Sequence, residues 1–478
     1  MEPKTKEFRK VAETTIADAK VQANLEGLYG GFHKTRIEAA NATPGWEEMR
    51  VRARAIKAHT IDNLDYYLER AYEKLTEAGV NVHFANDSSA ASMYVLDVAR
   101  RHGVKTVIKG KSMISEEMGL NDLLAAKGIE AVETDLGEYI IQLADQTPFH
   151  IIAPAIHMSK EDVSDVMQRQ LQTPSYDEIS DLAGEARRRL RDKFIRAEMG
   201  ITGANFVVAE TGTLVLVTNE GNGRMCTSMP RVHVAIMGME KLIPSMEDLG
   251  LFLRLLIRSA TGQRITSYVS VINGPRASDE EDGPEEVHLV IVDNGRSRLL
   301  ADPELREALY CVRCGACLNA CPVYRKVGGH AYGWVYSGPI GAVVSPVLTD
   351  IADAKDLPFA STLCGACREV CPVKINIPRM LLHLRSEVAE GKTRPNAKSV
   401  SLLERLVMKL WRGSVSTSFN FTLANRIGRL AQMPLLKRGR ITRLPPPLSG
   451  WTKYRTFPRV SSSPFRTRWR RYLKEESK

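Results

Sequence analysis

Seven of the chain's eight cysteines fall in two short runs, CVRCGACLNACPVY from Cys311 to Tyr324 and STLCGACREVCPVK from Ser361 to Lys374. Superposed, Cys314, Cys317 and Cys321 coincide with Cys364, Cys367 and Cys371, and Pro322 with Pro372, while Cys311 falls on Ser361. Cysteines at such gaps hold metal as thiolates. The run Cys311-x2-Cys314-x2-Cys317-x3-Cys321-Pro322 is the bacterial ferredoxin spacing, in which three thiolates hold one iron–sulfur cluster and the fourth ligates the other. A loop with two-residue gaps wraps three corners of a cube while its amides point at the sulfides. The next cysteine is carried beyond, and the proline stops the local helix from returning. The crossover gives cluster 1 the ligands Cys311, Cys314, Cys317 and Cys371. Cluster 2 takes Cys321, Cys364 and Cys367, with Ser361 where a fourth ligand is expected.

Paired CxxC motifs also bind zinc, but seven cysteines, the x3-Cys-Pro ending and the duplication favour two clusters. The expectation is [4Fe-4S] at both sites, with [3Fe-4S] the alternative at the three-thiolate one. Ser361 supplies a ligand only if its proton is lost; otherwise it fills space.

Other chemistry-bearing residues are less distinctive. Gly110-Lys111-Ser112 between a strand and a helix invites a P-loop reading, but the pattern needs glycine where Lys105 stands. Lys109, Lys111 and Ser112 remain candidates for anion binding at a helix start. Glu210, Thr211, Gly212 and Thr213 form either a site-facing turn or an ordinary hairpin. Cys226 reads as a buried thiol, and His157 and His233 as structural. Between the cysteine runs, His330, Tyr332, Trp334 and Tyr336 could shield a cluster edge, with packing the favoured role.

The elements that must position these residues change texture along the chain. Residues 1–75 show helical spacing, read as two or three helices. From VNVHFAND onward, strand-like runs (KTVIKG, IEAVETD, HIIAPAI, ANFVVAE, TLVLVTN, HVAIMGM, ITSYVSVING, EVHLVIVDNG) alternate with helical patterns, which predicts an α/β domain over 76–295 with a mostly parallel sheet. DEISDLAGEARRRLRDKFIRAEMG reads as one long polar helix. Residues 296–394 are helical and cysteine-rich, and 395–478 form a basic tail.

The 478 residues carry a net charge of +10, but from Gly391 onward there are 21 Lys and Arg against 3 Asp and Glu. A mildly acidic body thus carries a basic tail suited to an acidic partner or an anionic membrane surface, the alternative being a solvated tail of no specific role. No recognition motif suggests nucleic acid. The start lacks a secretory signal and no apolar run is long enough to span a bilayer, which predicts a reducing, cytoplasmic setting with peripheral membrane contact as an option.

The two cysteine runs, joined by YGWVYSGPIGAVVSP and preceded by ETGTLVLVTNEGNGR, resemble the lactate utilisation protein B family over essentially the whole chain. The resemblance implies an N-terminal α/β lactate utilisation domain of ribose-phosphate-isomerase-like fold, an all-α dicluster ferredoxin domain and a family-specific basic C-terminal region. It implies an iron–sulfur subunit of a flavin-independent system oxidising L-lactate to pyruvate. The partners implied are a cysteine-rich, heterodisulfide-reductase-like subunit and a second lactate-utilisation-domain protein. It carries no lactate-binding motif. With no His/Arg constellation for hydride abstraction in view, the expected role is electron transfer within a dehydrogenase complex, not catalysis by this chain alone. The alternatives are oxidation of another hydroxy acid such as glycolate, a redox sensor with a ligand-binding α/β domain, or purely structural clusters.

Overall fold

In the computed structural model, residues 3–391, 394–397, 400–446 and 448–476 are described, and the chain divides into two units, 1–399 and 400–478. The first begins with five helices: α1 (Phe8–Ala17), α2 (Ala19–Leu28), α3 (Lys34–Asn41), α4 (Trp46–Asp62) and α5 (Leu64–Glu77). The strand–helix region follows in the order β1 (Asn81–Ala85), α6 (Ser88–Arg101), β2 (Thr106–Lys109), α7 (Met113–Met118), α8 (Leu120–Ala126), β3 (Glu130–Glu133), α9 (Leu136–Leu143), α10 (Lys160–Leu171), α11 (Ile179–Arg196) and β4 (Met199–Gly203). It continues with β5 (Phe206–Val208), β6 (Thr213–Thr218), α12 (Asn222–Ser228), β7 (Val232–Gly238), β8 (Leu242–Ile243), α13 (Met246–Thr261), β9 (Tyr268–Ile272) and β10 (Glu286–Val292).

Six strands form one parallel sheet in the order β1-β10-β7-β4-β2-β3. Parallel sheets need both faces covered, so their strands run apolar without alternation. All of β7 is buried, as is β10 past its first residue. One face is covered by α6, α7 and α8, where Leu96, Leu120 and Leu124 pack on Val107, Ile201 and Val234. Helices α9 to α12 cover the other, with Tyr139, Met167 and Leu190 against Ile108 and Val132. A smaller mixed sheet, β8-β5-β6-β9, shares a core with α4, α5 and α13.

Three expectations fail here. The N-terminal region holds five helices, not the two or three its spacing suggested. HIIAPAI forms no strand: the His150 Nδ1 accepts the amides of Ile152 (3.1 Å) and Ala153 (3.3 Å), and Pro154 has no amide to give a ladder. The long polar helix ends at Arg196, and its last residues belong to β4, a central strand. Glycine hid that strand, yet glycine is required there. A Cβ on Gly200 would lie 1.8 Å from the Cys226 carbonyl oxygen of α12.

The cysteine region is built from short helices: α14 (Arg296–Ala301), α15 (Ala316–Ala320), α16 (Tyr324–Val327), α17 (Gly338–Leu348), α18 (Ala366–Glu369) and α19 (Ile377–Glu390). Every residue of α17 is buried, so this helix is a core post between the two cysteine runs. The second unit holds α20 (Leu402–Val415), α21 (Ser418–Ala431), a three-stranded sheet of β11 (Leu436–Lys437), β12 (Arg440–Ile441) and β13 (Phe457–Pro458), and α22 (Phe465–Glu476). That unit also holds a short 3-10 turn at Leu448–Thr452. Among the described residues no helix is long and apolar enough to cross a membrane.

Candidate metal centre and the pocket beside it

The two cysteine runs share a backbone course. Arg313 (φ 57°) and Gly315 (φ 74°) are left-handed in the first, and Leu363 (φ 56°) and Gly365 (φ 86°) at the matching places in the second. A left-handed residue on each side of Cys314 or Cys364 turns the chain inward before α15 or α18 begins. Backbone amides then aim at sulfur: Arg313 at Cys311 Sγ (3.4 Å), Tyr324 at Cys321 Sγ (3.5 Å) and Ile375 at Cys371 Sγ (3.4 Å).

Cys311, Cys314, Cys317 and Cys371 line one hollow, floored by Ile340 and Ile375. Cys321, Cys364 and Cys367 form a second group: beyond the effect of burial, Cys364 raises the thiol pKa of Cys321, and both raise that of Cys367. Cys317 also feels Cys367, so the two groups adjoin. Burial pushes Cys314 and Cys367 up to about 12 and Cys371 to about 11. Cys364 differs. It is exposed, and the Thr362 hydroxyl and the Ala366 amide lower its pKa.

Two observations test what these thiols fit. Tetrahedral zinc at about 2.3 Å from each sulfur would bring the sulfurs to about 3.8 Å of one another. Among the described residues no three cysteine sulfurs lie within 4.8 Å of one another, which suits a larger inorganic core instead. Second, among the described residues the buried Tyr332 hydroxyl has no hydrogen-bond partner, and it lies near Cys317, Cys321 and Cys367. Inorganic sulfide there would accept that proton. The residues fit iron–sulfur clusters.

Helix α4 holds this region from a distance. Arg50 donates to the Cys371 carbonyl from Nε (3.0 Å) and Nη2 (2.8 Å), and to the Glu369 carbonyl (2.8 Å); Arg36 of α3 donates to the Val370 carbonyl (2.9 Å). These cations satisfy carbonyls left open where α18 ends. Arg54 pairs with Glu307 (2.6 Å), and Lys57 donates to the Glu240 carbonyl (2.6 Å) while burial lowers its pKa to about 7. Spacings of four and three put Arg50, Arg54 and Lys57 on one inward helix face, a signal the sequence carried but one that reads as a solvated face.

A cavity of about 660 Å³ opens at the C-terminal ends of β2, β4 and β7. Lys111 and Ser112 line it; Lys109 does not, being buried against Glu133, Glu116 (3.2 Å) and Asn121 (2.6 Å). Lys111 Nζ donates to the Ile152 carbonyl at 2.6 Å. Glu210 to Thr213 lie outside the cavity: Gly212 donates to the Val208 carbonyl (2.9 Å) in a hairpin turn, and the opposite end of β6, Thr218 to Glu220, reaches the cavity instead. Arg313, Cys314 and Tyr336 form the wall facing the sheet, so Cys314 is common to the hollow and the cavity.

An ion network that the sequence did not reveal braces that wall. Arg296, fully buried, donates to both oxygens of Glu117 (3.0 and 2.9 Å) and to Glu240 (2.8 Å). Tyr336 donates to Glu117, and the Arg313 guanidinium stacks 4.2 Å from the Tyr336 ring centre. Burial opposes ionisation of Glu240, but Arg296, Lys241 and Arg313 overcome it and hold the carboxyl at about 2. Burial lowers Lys241 to about 8 against the pull of Glu240. Gly238 ends β7 without a side chain because a Cβ would meet Glu240 Oε2 at 2.1 Å and Arg296 Nε at 2.3 Å.

The remaining candidates sit in packed surroundings away from the cavity. His233 Nε2 lies 2.9 Å from Thr202 Oγ1 inside the sheet, His157 stacks on Phe149 (4.6 Å), and Cys226 is buried beside Thr134. His330 crosses Phe149 edge-on at 4.9 Å, and Trp334 packs edge-on against Tyr336 at 5.4 Å.

The parallel α/β sheet and the paired cysteine loops define a class: family models described as LUD domain match residues 68–292, and as 4Fe-4S dicluster domain residues 307–375. A third model, lactate utilisation protein B, C-terminal, matches residues 383–474. The chain is 42% identical over 468 residues to lactate utilization protein B of Geobacillus sp. strain WCH70, covering 98% of this chain and 97% of that one. It is 43% identical over 476 residues to the protein of that name from Anoxybacillus flavithermus, covering 99% of each, and 43% over 463 residues to that of Bacillus licheniformis, covering 97% and 96%. The chain belongs to the lactate utilisation protein B family. A solved duf162 family protein from Deinococcus radiodurans is 10% identical over 48% of this chain and 98% of that one, at a TM-score of 0.27, too slight a likeness to bear on the fold.

Proposed function

We propose that this chain is the iron–sulfur electron-transfer subunit of a multi-subunit system that oxidises L-lactate to pyruvate. Cys311, Cys314, Cys317 and Cys371 hold one [4Fe-4S] cluster; Cys321, Cys364 and Cys367 hold the second. The observation that carries this reading is the grouping of the thiols: four around one hollow, three beside it, with Cys317 and Cys367 adjoining. When bound, such clusters store and pass single electrons at potentials set by burial and by hydrogen bonds to sulfur. The chain's own part is to fix the thiols on left-handed turns, aim amides at them and keep water from the buried group. Cys364, the exposed thiol, marks the side toward an acceptor or partner. In this reading residues 76–295 and 296–394 act as the α/β and cluster domains, residues 1–75 brace them, and 395–478 serve docking to a partner subunit.

The test is electron paramagnetic resonance on anaerobically co-purified complex before and after L-lactate, with glycolate in parallel. Reduction by lactate is expected. Clusters that dithionite reduces and lactate does not would sink the reading, and preference for glycolate would reassign the substrate.

A further inference from the structure

We propose that the cavity beside Cys314 is a binding site for a small 2-hydroxy or 2-oxo monocarboxylate, its carboxylate held by Arg313 and Lys241. The proposal rests on the electron-transfer reading and places the substrate acid in this chain.

Topology puts the cavity where such sheets bind ligands. From β2 the chain moves to β3 at one edge, and from β4 it moves toward β7 and the other edge. Adjacent strands whose connections depart in opposite directions leave a crevice at their carboxyl ends. Gly110, Lys111 and Ser112 after β2, and Gly203 at the end of β4, line that crevice. Its volume, about 660 Å³, lies in the range of small-molecule sites.

The cations there are incompletely used. Among the described residues the buried Arg313 Nη1 has no hydrogen-bond partner, and its Nη2 stands 3.7 Å from Glu240, beyond a hydrogen bond. Stacking on Tyr336, itself tied to Glu117, fixes the guanidinium plane. Among the described residues, Lys241 has no hydrogen bond or close ion pair, and it lines the same wall. On this wall Arg296 is matched by Glu117 and Glu240, Lys111, Asp135 and Glu220 line the cavity elsewhere, and among the described residues Arg313 and Lys241 are the wall cations with no hydrogen-bonded carboxylate. A planar guanidinium with a free nitrogen suits a carboxylate geometrically. Ile236 and Leu256 supply apolar wall for a short alkyl group, and Asn222 and Thr218 supply polar groups for a hydroxyl or keto oxygen. Cys314 forms part of the same wall, so the bound acid sits against the proposed cluster 1.

The experiment is anaerobic calorimetric titration of the full-length, iron-loaded chain with L-lactate and with pyruvate, alongside iron content and the reduced-cluster resonance. Wild type is expected to bind at least one of the two, and Lys241→Gln to weaken binding about tenfold to a hundredfold, the worth of a charged hydrogen bond, with iron unchanged. Ala260→Phe, which fills the cavity from α13 without touching charge, is expected to abolish binding with iron retained. No binding by wild type, or equal binding by both variants, overturns the proposal. So does loss of iron in Lys241→Gln with undiminished binding in Ala260→Phe, which would assign the cations to the cluster alone. Cluster reduction by lactate in the complex without binding to this chain overturns the pocket and leaves electron transfer standing; binding without reduction does the reverse.

Discussion

The amide of Leu363 donates to Ser361 Oγ at 3.1 Å, as the amide of Arg313 donates to Cys311 Sγ at 3.4 Å. Ser361 therefore holds the backbone position of a ligand while offering a hydroxyl in place of a thiol. Replacing Ser361 with Cys should complete a four-thiolate second site and abolish any three-iron resonance formed on mild oxidation. Replacing it with Ala should leave that resonance at least as strong. Identical spectra for wild type and Ser361→Cys would show that the side chain does not reach the cluster.

Arg50 carries the second expectation. Its hydrogen bonds to the Cys371 and Glu369 carbonyls are buried, so Arg50→Ala should destabilise the chain by about 2–3 kcal/mol and lower iron content at the first site. Arg50→Lys, which keeps the charge but not the fork, should recover part of the loss. Thermal midpoints and iron per chain report both. Unchanged iron in Arg50→Ala would remove the clamp from the account.

Tyr332 offers an orphan hydroxyl near Cys317, Cys321 and Cys367. Donating to sulfur favours the reduced, more negative state. Tyr332→Phe should therefore move the midpoint potential negative by on the order of 40 mV, the electrical equivalent of about 1 kcal/mol. A potentiometric titration decides it, and no shift would leave Tyr332 a packing residue.

Glu240 ties stability to acid. Its folded pKa of about 2 lies below the ordinary glutamate value of 4.5, so its ionisation stabilises the fold above pH 4.5, and that contribution is lost as pH falls toward 2. The integrated effect is about 3 kcal/mol. Urea midpoints of wild type and Glu240→Gln should differ most at neutral pH and converge below pH 4.5. A constant difference would mean that the Arg296 pair does not set this carboxyl.

The thiols were legible because thiolate chemistry fixes its spacing within a dozen residues, and each run is that short. Strands β2, β7 and β10 were legible as β-branched runs. β4 was not, since Gly200 yields its side-chain space to α12. The Arg296–Glu117–Glu240 network joins residues up to 179 positions apart, and no local period encodes such a meeting. Arg313 was on view inside the first cysteine run, but only the fold reveals that it faces a cavity and not solvent.

The bond from Arg50 to Cys371 spans 321 residues. At about 5–20 residues per second of synthesis, α4 leaves the ribosome about 15–60 s before the carbonyls it will hold exist. On the proposed ligand set the first cysteine run likewise waits for Cys371, its thiols open to oxidants in the meantime. On that ligand set metal insertion is among the last events in this chain's maturation, and oxygen present during translation would lower the yield of loaded protein.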